Sequence, residues 1–166
     1  AMHSHFGFIP EEPTSQLYTS FIATMRELCQ YAKDKGVMIY CETGQEIPTT
    51  LIRAIHDIGT GNIFVNCDTA NLILYGKANP VDGLDVVGKY VMDVHAKDGD
   101  YPTDGKRLGK ERKIGEGKVD FPKIVEKLKA LGYDGTLTIE REISGEQQIK
   151  DIMRAKELLL EWMREV

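Results

Sequence analysis

Short apolar runs alternate with helix-patterned stretches along this sequence, and that alternation leaves few folds open. The runs VMIYC (37–41), NIFVNC (62–67), YVMDVH (90–95) and TLTI (136–139) have strand length and are rich in β-branched and aromatic residues. Between them, 18–35 carries Phe21, Ile22, Met25, Leu28, Cys29 and Ala32 at helical spacing, and Gly36 is placed to end that helix. Residues 48–58 read as a helix with Pro48 in its first turn. A short helix fits 80–88, and 121–130 reads as a helix capped by Asp120 and ended by Gly132. A long closing helix fits 147–165, and 4–9 (SHFGFI) is one further strand or the end of one. The order is helix, then four βα units, which implies α/β architecture: a parallel sheet with right-handed crossovers. Near-continuous apolar runs predict strands buried on both faces. Residues 98–118 are expected to be one long irregular loop, rich in Gly, Lys and Arg.

Each run ends at, or is followed by, a residue that can bind a hard or borderline cation: Glu42, Asp68, His95 and Glu140. All strands of a parallel sheet end on the same side, so ligands placed one per strand end converge above it. The spacings are 26, 27 and 45 residues, the last longer by about the length of the 98–118 loop. One acid after a strand is usually a helix cap or a solvated turn. Four such residues at the same end of four successive strands are a different matter. Grouping three carboxylates without a cation would cost several kcal/mol in repulsion and desolvation.

Bulk properties narrow the class further. The chain of 166 residues is long enough for one domain, taken here as 1–166, and its 42% hydrophobic and 28% charged composition is that of a globular protein. A net charge of -5 argues against a nucleic-acid partner. Cys29, Cys41 and Cys67 are odd in number and widely spaced, and read as buried thiols in a reducing compartment. No apolar run approaches the roughly 20 residues that cross a bilayer. The expectation is a cytoplasmic protein with no membrane partner.

The strings YCETGQE, NCDTAN, DVHAKD, GEGKVDFPKIVEKLKALGYDG and LTIERE together resemble the xylose isomerase-like superfamily of sugar phosphate isomerases and epimerases. That group includes ketose 3-epimerases, hydroxypyruvate isomerase and inosose dehydratase, and more distantly endonuclease IV. The resemblance implies a (β/α)8 barrel in which Glu42, Asp68, His95 and Glu140, on strands five to eight, hold one divalent ion: Mn, Mg, Co or Zn. It also implies isomerisation or epimerisation of a sugar, sugar phosphate or polyol by proton transfer beside a carbonyl, with Glu42 and Glu140 as the catalytic pair. Arg141, Lys97, His5 and Asn71 are then candidates for substrate binding. Many relatives carry D-x-x-H after strand six, whereas Asn71 stands at that His position here. An amide can bond a sugar hydroxyl but cannot shuttle a proton near neutral pH. Lys97, Lys106, Arg107, Lys110 and Arg112 form either a charged lid that contacts phosphate or a solvated loop. A dehydratase or lyase of the same superfamily, and an inactive half-barrel, are the alternative functions.

The resemblance places residue 1 near the end of strand four, so only about the second half of a barrel (strands five to eight) is expected. A full barrel needs about 250 residues. Open edges and an uncovered inner face would then favour a homodimer or larger assembly.

Overall fold

The structure is a computed structural model that describes residues 1–165. Its frame is a five-stranded parallel sheet of β1 (Met2–Ser4), β2 (Ile39–Glu42), β3 (Ile63–Asp68), β4 (Val91–Ala96) and β7 (Leu137–Ile139), in the order β1-β2-β3-β4-β7. The helices α1 (Gln16–Asp34), α2 (Pro48–Ile58), α4 (Pro80–Val87), α5 (Phe121–Ala130) and α6 (Glu146–Glu165) connect and cover the strands, and a four-residue α3 (Asn71–Leu74) follows β3. The sheet curls into a half-barrel of the parallel α/β kind.

Local sequence explains the helix ends. Ser15 starts α1 by accepting a hydrogen bond from the Tyr18 amide at 3.1 Å, so the helix begins two residues earlier than its apolar periodicity suggests. Asn79 and Asp120 cap α4 and α5 in the same way, and a proline opens each of those helices. Gly59, at φ 68°, closes α2 in the left-handed region.

Strand alternation sorts the side chains. Ile39, Cys41, Ile63, Val65, Cys67, Val94 and Ala96 are buried against the helices, where they meet Ile22, Leu51, Ile58, Val87 and Ile124. The other face carries Tyr40, Phe64, Asn66, Asp93, His95 and Thr138, paired across the strands by register. The strands are therefore not apolar on both sides. One face is hydrocarbon, and the inner face is aromatic and polar and only partly covered.

Two other expectations are refined. The first strand is Met2–Ser4, so 4–9 is only the end of a strand, at Ser4, and Phe6 beyond it packs near Phe21 with ring centroids 6.4 Å apart. Residues 98–118 are not wholly irregular: β5 (Asp98–Asp100) and β6 (Lys110–Arg112) pair as an antiparallel hairpin. Asp98, fully buried, anchors its base. One carboxylate oxygen accepts from the amides of Gly99 and Val119, the other from those of Gly115 and Gly117, at 2.8–3.1 Å. Gly117 is needed there because a Cβ would collide with that carboxylate.

Candidate metal and active site

Four strand ends deliver the four expected ligand types to one point. Glu42 is the last residue of β2, Asp68 the last of β3, His95 lies in β4, and Glu140 follows β7. One ligand atom from each lies within 4.8 Å of the other three. His95 Nδ1 sits in the middle, 3.5 Å from Glu42 Oε1, 3.6 Å from Glu140 Oε2 and 3.9 Å from Asp68 Oδ2. Backbone and hydroxyl bonds hold the strand ends together. Thr43 donates its hydroxyl to the Asp68 carbonyl, Thr69 donates to the Lys97 carbonyl, and the Glu140 amide donates to the Ala96 carbonyl.

Asp68 is entirely buried. Its Oδ1 accepts from the amides of Ala70 and Asn71, at 2.9 and 2.7 Å, which fixes the carboxylate at the start of α3. Its Oδ2 has no hydrogen-bond partner, and neither has the buried Nδ1 of His95. Two orphaned ligand atoms that face each other inside a ring of carboxylates fit a divalent cation. The donor set, three carboxylates and an imidazole, suits Mn, Mg, Co or Zn.

Charge shapes the titration of this cluster. The carboxylates of Glu140 and Glu42 push His95 up to about 10. Burial holds Asp68 well above the usual carboxylate range, whereas the adjacent His95 holds Glu140 below it.

The remaining candidates fall into different places. Asn71 donates from Nδ2 to Glu42 Oε1 at 3.1 Å. His5, at the cleft mouth, lies 3.7 Å from Glu42 Oε1. Lys97 is 2% exposed, and its ammonium reaches Glu142 Oε2 at 3.0 Å, Glu140 Oε2 at 3.1 Å and Asp68 Oδ2 at 3.9 Å. Burial opposes its charge, but Asp68, Glu142 and Glu140 outweigh that and hold its pKa above the usual lysine value. Arg141 is directed elsewhere. Its guanidinium bridges Glu111 at 2.8 Å and Asp151 at 2.9 Å, between the hairpin and α6, so a substrate contact would require that pairing to break. The loop cations do not gather into a cluster with Lys97. Arg112 pairs with Asp100 inside the hairpin, and Arg107 with Asp104 near its exposed tip.

A cleft of about 310 Å3 is lined by two of the four ligands, Glu42 and Glu140, together with His5, Asn71, Tyr75, Leu108, Glu111 and Glu142. Sequence reasoning did not single out Glu111 or Glu142. Glu142 lies beyond the end of β7, where strand alternation gives no signal. Glu111 had none, because the hairpin that positions it was not visible.

A half-barrel of parallel strands with a carboxylate–imidazole cluster at its C-terminal edge defines the class: part of a (β/α)8 barrel. A family model described as xylose isomerase-like TIM barrel matches residues 1–166, and the chain belongs to that family. Among solved structures it is similar to a xylose isomerase domain protein from Planctomyces limnophilus, with 37% identity, TM-score 0.93, and 99% of this chain and 60% of that one covered. It is also similar to a D-tagatose 3-epimerase-like protein, with 28% identity, TM-score 0.76, and 99% and 62% covered. An uncharacterized protein of Methanocaldococcus jannaschii is 30% identical over 96% of this chain and 55% of its own length. The chain thus spans little more than half the length of the relatives it matches.

Proposed function

We propose that the protein is a metal-dependent isomerase or epimerase of a small sugar or polyol, working by proton transfer at a carbon next to a carbonyl. The observation that carries this reading is the convergence of Glu42, Asp68, His95 and Glu140 on one point, with Glu42 and Glu140 also lining a polar cleft. Structures similar in fold are described as holding magnesium or zinc, which agrees with the donor set. Such an ion, when bound, would polarise the carbonyl and stabilise negative charge that develops on its oxygen.

The chain's own residues have separable tasks. Asp68 and His95 serve only as ligands. Glu42 and Glu140 line the cleft and supply the carboxylates that take a proton from carbon and return it. Asn71 and His5 offer hydrogen bonds to sugar hydroxyls from the Glu42 side, whereas Lys97, buried behind Glu140 and Glu142, holds those carboxylates in place.

The test is turnover in deuterated water by the metal-loaded protein, with a panel of ketoses, aldoses and polyols. Deuterium entering at the reacting carbon supports proton transfer by the two glutamates. Retention of that carbon's original hydrogen through many turnovers removes their assignment as acid and base. Loss of water from the product instead would place the protein among dehydratases.

A further inference from the structure

His95 needs a second partner if its Nδ1 is to ligate a cation, and one fully buried side chain stands where that partner must be. Nδ1 faces the three carboxylates, and the opposite ring nitrogen, Nε2, lies 3.1 Å from the Asn66 side-chain amide. Asn66 is 0% exposed. It sits on β3 two residues before Asp68, so both side chains share the inner face, and in register it stands opposite Glu42 on β2 and Asp93 on β4. Among the described residues, Asn66 alone is recorded within hydrogen-bonding distance of Nε2. The Asp93 carboxylate, 3.4 Å from His3 Nδ1, belongs to a second group with His3 and His95, whose ligand atoms all lie within 4.8 Å of one another.

The donors and acceptors do not yet match a ligand role. As placed, Asn66 Nδ2 faces Nε2, and Asn66 Oδ1 is buried without a partner. A neutral imidazole that offers its Nδ1 lone pair to a cation carries its hydrogen on Nε2, and that hydrogen needs an acceptor. Half a turn of the Asn66 amide about its terminal bond exchanges oxygen and nitrogen with little change in shape. Oδ1 then accepts from Nε2–H, and the orphaned Nδ1 presents its lone pair among the carboxylates.

We infer that Asn66 is a positioning residue: its side-chain oxygen selects the Nε2–H tautomer of His95 and thereby sets the affinity of the four-residue site for a divalent cation. This rests on the metal-site reading above. Groups that bond the far nitrogen of a ligating His typically alter metal affinity about 10–100-fold when removed. Asn66→Leu keeps most of the volume and removes the acceptor. Asn66→Asp keeps an acceptor at the same distance.

Zinc titrations of the protein labelled with nitrogen-15 histidine test the assignment by two readouts that need no turnover. In the unmutated protein loaded with Zn2+, His95 should show its hydrogen on Nε2 and zinc on Nδ1. Asn66→Leu should weaken zinc binding about 10–100-fold, and Asn66→Asp should bind at least as tightly as the unmutated protein. Zinc on Nε2, or equal zinc affinity in Asn66→Leu, overturns the role of Asn66 and leaves the metal site standing. Absence of zinc binding to the unmutated protein overturns both. If Asn66→Leu does not fold, the tautomer of the unmutated protein and the affinity of Asn66→Asp still decide: zinc on Nδ1 with intact Asn66→Asp binding upholds the assignment, and either result reversed overturns it.

Discussion

Lys97 places its ammonium 3.1 Å from Glu140 Oε2 while remaining almost wholly buried, so the acidic centre carries a cation of its own from the neighbouring strand end. The same ammonium reaches Glu142 and lies 3.9 Å from Asp68. It partly offsets the repulsion among the carboxylates, and it would compete electrostatically with a divalent ion held by the same acids.

Lys97→Met separates these effects. Breaking a buried ion pair from one side costs about 3–5 kcal/mol, so the metal-free variant should melt at a lower temperature than the unmutated protein. Added Mn2+ or Zn2+ should raise its melting temperature by more than it raises that of the unmutated protein, because less positive charge opposes the ion. Thermal melts with and without metal check this. An equal metal-induced gain in both proteins would show that Lys97 does not feel the cation site.

Glu42→Gln and Glu140→Gln should each lower turnover by at least about 100-fold, the scale of a lost general acid or base, and should also weaken metal binding. Asp68→Asn should weaken metal binding without a separate proton-transfer defect, so saturating metal should restore it further than either glutamine variant. Initial rates against metal concentration distinguish the two patterns.

Much of this centre was legible in the sequence for a physical reason. A parallel sheet turns position in the chain into position in space, so the ligand type at the end of each apolar run becomes a point of convergence. Period-two alternation carried further information. Asn66, two residues before Asp68 on β3, shares its side of the strand, whereas Arg141, next to Glu140, is directed to Asp151 and Glu111. The hairpin of β5 and β6 was not legible. Its strands have three residues each, and its base is fixed by the Asp98 carboxylate, which leaves no periodic trace. The start of α1 was missed because a serine cap, not an apolar residue, sets it.

Asp98→Ala should unfasten that hairpin. Four backbone amides lose their acceptor, and each buried orphan costs about 1–3 kcal/mol. Relaxation of the loop and entry of water should limit the total to about 3–5 kcal/mol. Hydrogen exchange should speed most at Gly99, Gly115, Gly117 and Val119, and denaturant melts should give the stability loss. Unchanged protection at those amides would show that the loop is held from elsewhere.

Glu46 gives a pH-dependent prediction with a defined sign. Its side chain is 4% exposed, its Oε1 has no partner, and burial, outweighing the attraction of Lys77, raises its pKa to about 7 from an ordinary 4.5. The unfolded chain therefore ionises this group at lower pH than the native protein does. The stability tied to the neutral carboxyl is fully present below about pH 4.5 and is lost as pH rises through about 7, a change of about 3 kcal/mol at 1.36 kcal/mol per unit. Glu46→Gln cannot ionise, so its stability relative to the unmutated protein should improve by about that amount between pH 4.5 and pH 8. Urea melts at both pH values measure the difference, and a constant difference would show that Glu46 ionises freely in the folded state.

The 166-residue chain should self-associate. The sheet ends at β1 on one side and β7 on the other, and among the described residues no strand pairs with their outer edges. Each edge also exposes hydrocarbon. Phe8, Leu17 and Tyr31 are 65–74% exposed near α1, and Ile149, Met153 and Met163 are 53–64% exposed on α6. Beside the second group, Leu128, Tyr133, Leu137 and Met163 line a cleft of about 310 Å3. Unpaired strand edges bordered by apolar surface are templates for association, and a two-fold pair is the commonest outcome. The inner face drives association less than a purely apolar one would, because it carries Asn66, Asp93 and His95 beside Tyr40 and Phe64. Sedimentation equilibrium at low micromolar concentration should therefore show a dimer or larger species. Met163→Glu, which puts a charge in the cleft beside β7, should shift the population toward monomer, whereas Lys106→Glu at the solvated hairpin tip should not. A cooperatively folding monomer at that concentration would show that the polar half of the inner face and the short edge strands suffice to keep the half-barrel apart.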